Sequence, residues 1–250
     1  MTGDMKKKNE TAAAAESVYE RLMGEMKTGE FAALSKLPPE TELSKQLQVS
    51  RTQLRDALAK LESCGFITRR RSAGTRINRQ VLEVRTRMDL ELEFLDMVRD
   101  AGFEPAIDSV SSETILSDAA MADKLSIPAG FPVLAVTRLI LADKKPCIYC
   151  VDHIPFNRIK RLDYHEADLS RPIFDFLSTF CHTEIEMDIT EVKPLIADAE
   201  LARVLDVDAG APILYMDEVG YDYQGNTALW SKEYYADGIL RHMVLRKKIQ

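Results

Sequence analysis

No stretch of this 250-residue chain approaches the roughly 20 apolar residues that a membrane-spanning helix needs. The basic run Lys6-Lys7-Lys8 is not followed by an apolar segment, so no secretory signal is expected. Cysteine is scarce, four in all, and lacks the paired spacing of a disulfide framework. Together these absences fit a reducing cytoplasm, the expected location. Cys147-x-x-Cys150 has ligand-like spacing, but no second pair follows, and residues three apart on a strand point to opposite faces. The histidines (His153, His165, His182 and His242) are scattered, and neither a Ser-His-Asp order nor a phosphate-cradling glycine loop occurs. No cofactor, metal or enzymatic activity is therefore expected.

What the chain does have is an uneven distribution of charge. Residues 1–80 carry 15 Lys and Arg against 10 Asp and Glu, a net of +5, whereas the other 170 carry 18 against 30, a net of −12. The overall −7 hides a basic module joined to an acidic one. Hydrophobic content of 46% is ample for two cores at this length.

The basic module contains its own explanation. Leu54, Ala57, Leu58 and Leu61 recur at i, i+3, i+4 and i+7, the stripe of a helix buried on one face. Ser50 precedes it and Gln53 follows three residues later, the spacing of a capping box. Arg51, Thr52, Gln53 and Arg55 then face outward from a helix start whose dipole favours phosphate. Upstream, Leu43 and Leu47 make Glu40–Leu47 a second short helix, with Gln48-Val49-Ser50 as the turn. After Gly65 the period changes: Phe66-Ile67-Thr68 reads as a strand, Arg69 to Arg76 as a basic hairpin tip turning on Gly74, and Ile77 as the returning strand. The sum is a winged helix-turn-helix that presents arginines to double-stranded DNA.

These residues resemble the DNA-binding domain of GntR-family bacterial transcription regulators over about residues 15–78. The resemblance rests on Leu-Pro-Pro-Glu-Thr-Glu-Leu (37–43), Val-Ser-Arg-Thr-Gln-Leu-Arg-Asp-Ala-Leu (49–58), Leu-Glu-Ser-Cys-Gly-Phe-Ile (61–67) and Gly74-Thr75. It implies DNA contact by Ser50, Arg51, Thr52, Gln53 and Arg55 on the recognition helix, and by Arg71, Gly74 and Thr75 on the wing. Thr41 stands where the family carries a base-reading Arg, and Gln48 where it carries a turn Gly. The family's operator is therefore not carried over unchanged.

The acidic module is duplicated. Residues 111–155 and 191–235 align without a gap at an offset of 80: Asp118-Ala119 on Asp198-Ala199, Leu125 on Leu205, Ala129-Gly130 on Ala209-Gly210, Pro132 on Pro212. Each copy reads as a short helix, a turn on Gly and a β-hairpin, Val133–Leu141 with Cys147–Ile154 across Ala142–Pro146, and Ile213–Asp222 with Thr227–Tyr235. The expected fold class is α+β: the winged head, then an antiparallel sheet built from a duplicated helix–hairpin unit, with helices on one face. The expected boundaries are 1–78 for the head, 79–90 for a linker and 91–250 for the second domain.

This half resembles the UTRA effector domain of the HutC branch, whose fold is chorismate-lyase-like, over about 90–248. Gly130-x-Pro-Val-Leu-x-x-x-Arg138, Ala142-Asp-x-x-Pro146 and Tyr234-Tyr235 before Arg241-His242-Met243 carry the likeness. At the offset of 80, Arg138 falls opposite Glu218, which reads either as a structural ion pair or as a pocket floor. The resemblance favours the pocket, with Arg138 holding an anionic effector and Glu218, Tyr235, Glu233 and Asp152 nearby. Phosphosugar-responsive members carry hydroxyls after the linker and a Glu on the return strand. This chain has Glu93-Phe94-Leu95-Asp96 and Cys150 instead, which points to a non-phosphorylated anion. The expected protein is a ligand-responsive homodimeric repressor on a palindromic operator. The alternatives are a phosphosugar sensor of the same class and a lyase-like enzyme with a DNA-binding head.

Overall fold

The structure, a computed structural model, describes residues 18–248, so Lys6-Lys7-Lys8 lie outside the described residues. The described residues through Leu90, together with those from Met243 onward, form one compact unit, and Glu91–His242 form another.

In the first unit, α1 (18–27) packs against α2 (Glu40–Gln46) and α3 (Arg51–Ser63). The core is Val18, Leu22, Met26, Leu43, Leu54, Leu58 and Leu61, the stripes of three amphipathic helices meeting. The antiparallel wing is β1 (Ile67–Arg70) with β2 (Gly74–Ile77), paired from Ile67↔Ile77 to Arg70↔Gly74. Gly74 has φ of +76° and open space beside it, so the tip needs glycine for conformation and not for clearance. Residues 79–90 are not a free linker. They form α4 (Arg79–Leu82) and β3 (Thr86–Arg87), and the Arg79 guanidinium donates to the carbonyls of Met26 (2.5 Å), Leu34 (2.7 Å) and Phe31. One Arg thus ties the end of α1 to the turns that follow it, which no local sequence pattern announces.

Gln48 sits at φ of +54° in the turn before α3. A side chain there costs about 1 kcal/mol relative to glycine. Gln48→Gly should therefore stabilise the head by about 1 kcal/mol, read as a raised midpoint in thermal unfolding. An unchanged or lowered midpoint would show that Gln48 is held by contacts that offset its strain.

The second unit is a six-stranded antiparallel sheet. After α5 (Phe94–Asp100) come β4 (Pro105–Leu116), α6 (Ala119–Leu125), β5 (Pro132–Ala142) and β6 (Lys145–Pro155). A 3-10 turn, α7 (Glu166–Leu169), α8 (Ile173–Phe176) and a π-helical turn lead to β7 (Ile185–Ile196), α9 (Ala199–Leu205), β8 (Pro212–Asp222) and β9 (Thr227–Ala236). The order β4-β5-β6-β9-β8-β7 puts the two repeats head to head, with the pseudo-twofold between β6 and β9. The duplication extends beyond the expected hairpins. β4 and β7 also lie 80 residues apart, Asp118 and Asp198 both cap their helices, and Ser126 and Asp206 both end them in the left-handed conformation.

Two expectations need correction. The first hairpin turns on Asp143-Lys144 alone, both at positive φ, so the strands reach further toward each other than the five-residue turn allowed. The helices cover both faces: α6 and α9 pack on one, while α5, α7 and α8 pack on the other. The reason is visible in β5, buried on nearly every residue, since a strand that apolar must be covered on both sides.

Candidate functional site

The first turn of α3 is built as expected. Ser50 Oγ accepts the Gln53 N–H (3.2 Å) while Gln53 Oε1 accepts the Ser50 N–H (3.1 Å). The side chains of Ser50 and Gln53 are thereby spent on one another, leaving Arg51 and Thr52 exposed on the same turn. Arg55 meets Glu40 at 3.0 Å, an exposed pair worth little and easily exchanged for phosphate. Thr41 is exposed on α2, and Arg71 and Thr75 flank the wing tip. Between wing and α2 runs a groove of about 570 Å³ lined by Pro38, Pro39, Glu40, Arg69, Arg70, Arg71, Gly74 and Thr75.

In the second unit the alternation of β-strands brings all five expected residues to one face: Arg138 on β5, Asp152 on β6, Glu233 and Tyr235 on β9, Glu218 on β8. Arg138 is not paired with its repeat-mate Glu218. Its guanidinium binds Asp152, on the next strand, and donates to the Arg171 carbonyl at 3.0 Å. Sheet partners are fixed by register between neighbouring strands, and Glu218, three strands away, bonds Thr190 instead (2.6 Å). Asp152 also accepts from Ser231 (2.6 Å), and the Tyr235 hydroxyl donates to Glu233 (2.6 Å). Arg138, Asp152 and Glu233 are 2%, 1% and 5% exposed, so the network is closed, with Arg138 Nε left without a partner.

Further acids that the sequence reading did not single out face the same place. Glu93, at the start of α5, is pushed up to about 7 by burial, against the opposing pull of Arg138. Glu91, Asp188 and Glu218 bring carboxylate oxygens within 4.8 Å of one another. Burial, then Glu91's neighbours Glu218 and Asp188, push its carboxyl upward although the residue as a whole is exposed. Asp188 rises to about 6, and Glu233 rises well above the usual carboxylate range through burial and the nearby Glu218. One guanidinium therefore faces a set of acids that cannot all ionise together.

This has a pH consequence. Glu218, raised from 4.5 to about 7 chiefly by burial, keeps a proton in the folded state that the unfolded chain has released. Its contribution is present at low pH and is lost as pH rises from 4.5 through about 7. The full chain should unfold at a higher temperature at about pH 5.5 than at about pH 8, by an amount on the order of 1 kcal/mol or more. Glu218→Gln should flatten that slope. A profile rising with pH would mean the acids are ionised and paired.

Cys147 and Cys150 do not lie on opposite faces. A bulge between Ile140 and Leu141 brings both into the core under α5, as buried free thiols. Burial pushes Cys147 up to about 12 and Cys150 well above the usual thiol range. A cavity of about 680 Å³ lies on the opposite sheet face beside α6. Its two cations are engaged, Lys124 with Asp217 at 2.9 Å and Arg158 with Asp222 at 3.2 Å. Trp230, stacked on His153 at 4.6 Å, also gives its indole N–H to Asp217. The face around Arg138 is the one with uncompensated groups. Among the described residues, no helix is long and apolar enough to cross a membrane.

A winged helix-turn-helix joined to a unit with a closed, charged face defines a ligand-responsive DNA-binding regulator. The bacterial regulatory proteins of the gntR family match residues 14–77 and the UTRA domain matches residues 100–237, and the chain belongs to the GntR-family regulators of the HutC-like, UTRA-bearing type. It is similar to the HTH-type transcriptional repressor NagR of Bacillus subtilis, 26% identical over 218 residues, 87% of this chain and 88% of that one. It is also similar to the probable fructoselysine utilization operon transcriptional repressor of Escherichia coli K12, 25% identical over 206 residues, covering 82% and 83%. Among solved structures, the possible transcriptional regulator YydK of Bacillus subtilis shares the fold with a TM-score of 0.75 at 18% identity, over 94% of this chain and 99% of that one. PhnF of Mycobacterium smegmatis follows at 0.56 and 19%, over 84% and 91%. These relatives are regulators, and the lyase-like enzyme alternative falls with them.

Proposed function

We propose that this chain is a cytoplasmic homodimeric repressor that binds a palindromic operator and responds to a small zwitterionic metabolite. The observation that carries the ligand class is the sheet face of Arg138, where a single guanidinium, already engaged by Asp152 and close to Glu93, shares that face with Glu233 and, further along, Glu218. A bare anion would meet that field unfavourably, and a phosphate more so. A ligand with an ammonium or several hydroxyls satisfies the acids, while one carboxylate can accept from Arg138 Nε. The anion expected from Arg138 alone thus becomes one end of a ligand with both charges. An amino-acid derivative has that form.

On DNA, Arg51, Thr52 and Arg55 enter the major groove from α3 while Ser50 and Gln53 fix the helix start. Thr41, Arg71, Gly74 and Thr75 hold the backbone and the adjoining groove. One such head reads few bases, and a specificity of about 10³–10⁷ over random DNA needs two half-sites. A dimer through the second unit is supported by its edge strands, where Leu116, Met187, Ile189 and Ile196 are exposed. Sedimentation of the full chain as a monomer at micromolar concentration would contradict it. That relatives carry the name repressor supports the sign of regulation.

A thermal-shift panel on the full chain tests the ligand class, using amino-acid derivatives, simple carboxylates and phosphosugars. Binding at 100 times Kd adds about 2.7 kcal/mol, an easily read shift. Stabilisation by zwitterions and not by carboxylates supports the reading. A phosphosugar as the sole stabiliser overturns it.

A further inference from the structure

The end of the chain returns to the recognition helix. Lys247 Nζ donates to the carbonyls of Glu62 (2.8 Å) and Ser63 (2.6 Å), and Arg87 Nη1 to that of Cys64 (2.6 Å). These are the last carbonyls of α3 and its cap, which carry the negative end of the dipole; the Glu62 carbonyl also accepts the Gly65 N–H (3.0 Å). Two cations from outside the helix-turn-helix therefore close its reading helix. They are tied to one another: Arg87 pairs with Asp89, whose carboxylate accepts the Leu245 N–H (3.1 Å), and the Met88 N–H donates to the Met243 carbonyl (2.8 Å). Gly65 gives an independent sign that the tail is seated. It has φ of +79°, and a Cβ there would come within 2.3 Å of the Leu245 side chain.

The tail begins where the charged face ends. Tyr235, whose hydroxyl holds Glu233, meets His242 edge-on at 4.5 Å, and His242 is the residue before Met243. We propose that residues 243–248 act as a strap that carries the state of the Glu233–Tyr235 site to the C-terminal end of α3, with Lys247 as its positioning residue. The proposal rests on the reading of that face as the effector site. A ligand that draws Glu233 away from Tyr235 shifts His242 and the six residues after it. The grip of Lys247 on α3 changes in turn, and with it the angle at which Arg51 and Thr52 meet DNA.

The test needs no ligand. A duplex selected from a random pool by the wild-type full chain serves as probe, and its affinity is measured for Tyr235→Phe, Lys247→Ala, the double variant and Lys247→Arg. Thermal unfolding confirms that each is folded. Tyr235→Phe is expected to change affinity by about threefold or more in the wild-type background and by less than twofold in the Lys247→Ala background, the signature of coupled sites. Lys247→Arg, which keeps the charge and the donors, should retain the wild-type response to Tyr235→Phe. Independent, additive effects, or no effect of Tyr235→Phe in either background, would overturn the strap. The thermal-shift panel on wild type reads the effector site separately, so failure of that site and failure of the strap are distinguishable.

Discussion

Asp152→Ala should lower the stability of the second unit by about 3–5 kcal/mol, because it strands a guanidinium that is 2% exposed. Asp152 binds Arg138 and accepts from Ser231, and its removal leaves Arg138 only the Arg171 carbonyl at 3.0 Å and the partial charge of Glu93. Ionisation of Glu93 offsets part of the loss, since its proton is already loosely held near neutrality. Asp152→Asn keeps one acceptor oxygen for Arg138 and turns an amide N–H toward Ser231, whose hydroxyl can accept it, so its cost should fall to about 1.5–3 kcal/mol. Urea unfolding followed by the fluorescence of Trp230, the single Trp, reports on this unit alone. A loss below about 1 kcal/mol for Asp152→Ala would show that another acid already neutralises Arg138.

Arg51→Ala should weaken binding to a selected duplex by about 10- to 100-fold, corresponding to about 1–3 kcal/mol for one good base contact. Arg51 is exposed on the first turn of α3, where the capping box has fixed the backbone without using its side chain. Loss of a base contact would also relax preference at one position of each half-site, whereas loss of a phosphate contact would weaken all sequences alike and lower the salt dependence. Selection from a random pool with the variant separates the two. Unaltered affinity and preference would move the reading function to Thr52, Arg55 and the wing. Arg55→Ala is the smaller companion change, because that side chain must first leave Glu40.

The winged head was legible because each of its signals is local. The stripe Leu54, Ala57, Leu58, Leu61, the Ser50–Gln53 box and Gly74 at the tip each depend on residues a few positions apart, and all appear as expected. The repeat was legible as an offset of 80, which located α6, α9 and the four central strands. The edge strands β4 and β7 were missed because β4 is mostly polar and no residue of either strand is buried, so even the alternating Ile185, Met187 and Ile189 of β7 mark no core face. Helices α7 and α8, four residues each, are too short to show a period. Arg138, Asp152, Glu218, Glu233 and Tyr235 share one sheet face, and of the two readings of Arg138 opposite Glu218 the ion pair falls, since hydrogen bonding follows strand register. Glu91, Glu93 and Asp188 join the site through folding at long range. Lys247 likewise meets α3 only through folding, reaching back 184 residues to Ser63 with nothing in the local sequence to mark it.

The central claim is that the charged face around Arg138 controls the DNA-binding head, and one titration tests it. The wild-type chain is bound to its selected duplex, and fluorescence anisotropy is followed while adding the zwitterionic compound that stabilises the protein in the thermal-shift panel. The account predicts a change in DNA affinity of about fivefold or more, the range of ordinary coupling between two sites. A compound that saturates the protein, with its binding abolished in Glu218→Gln, and yet leaves DNA affinity unchanged within twofold would contradict it.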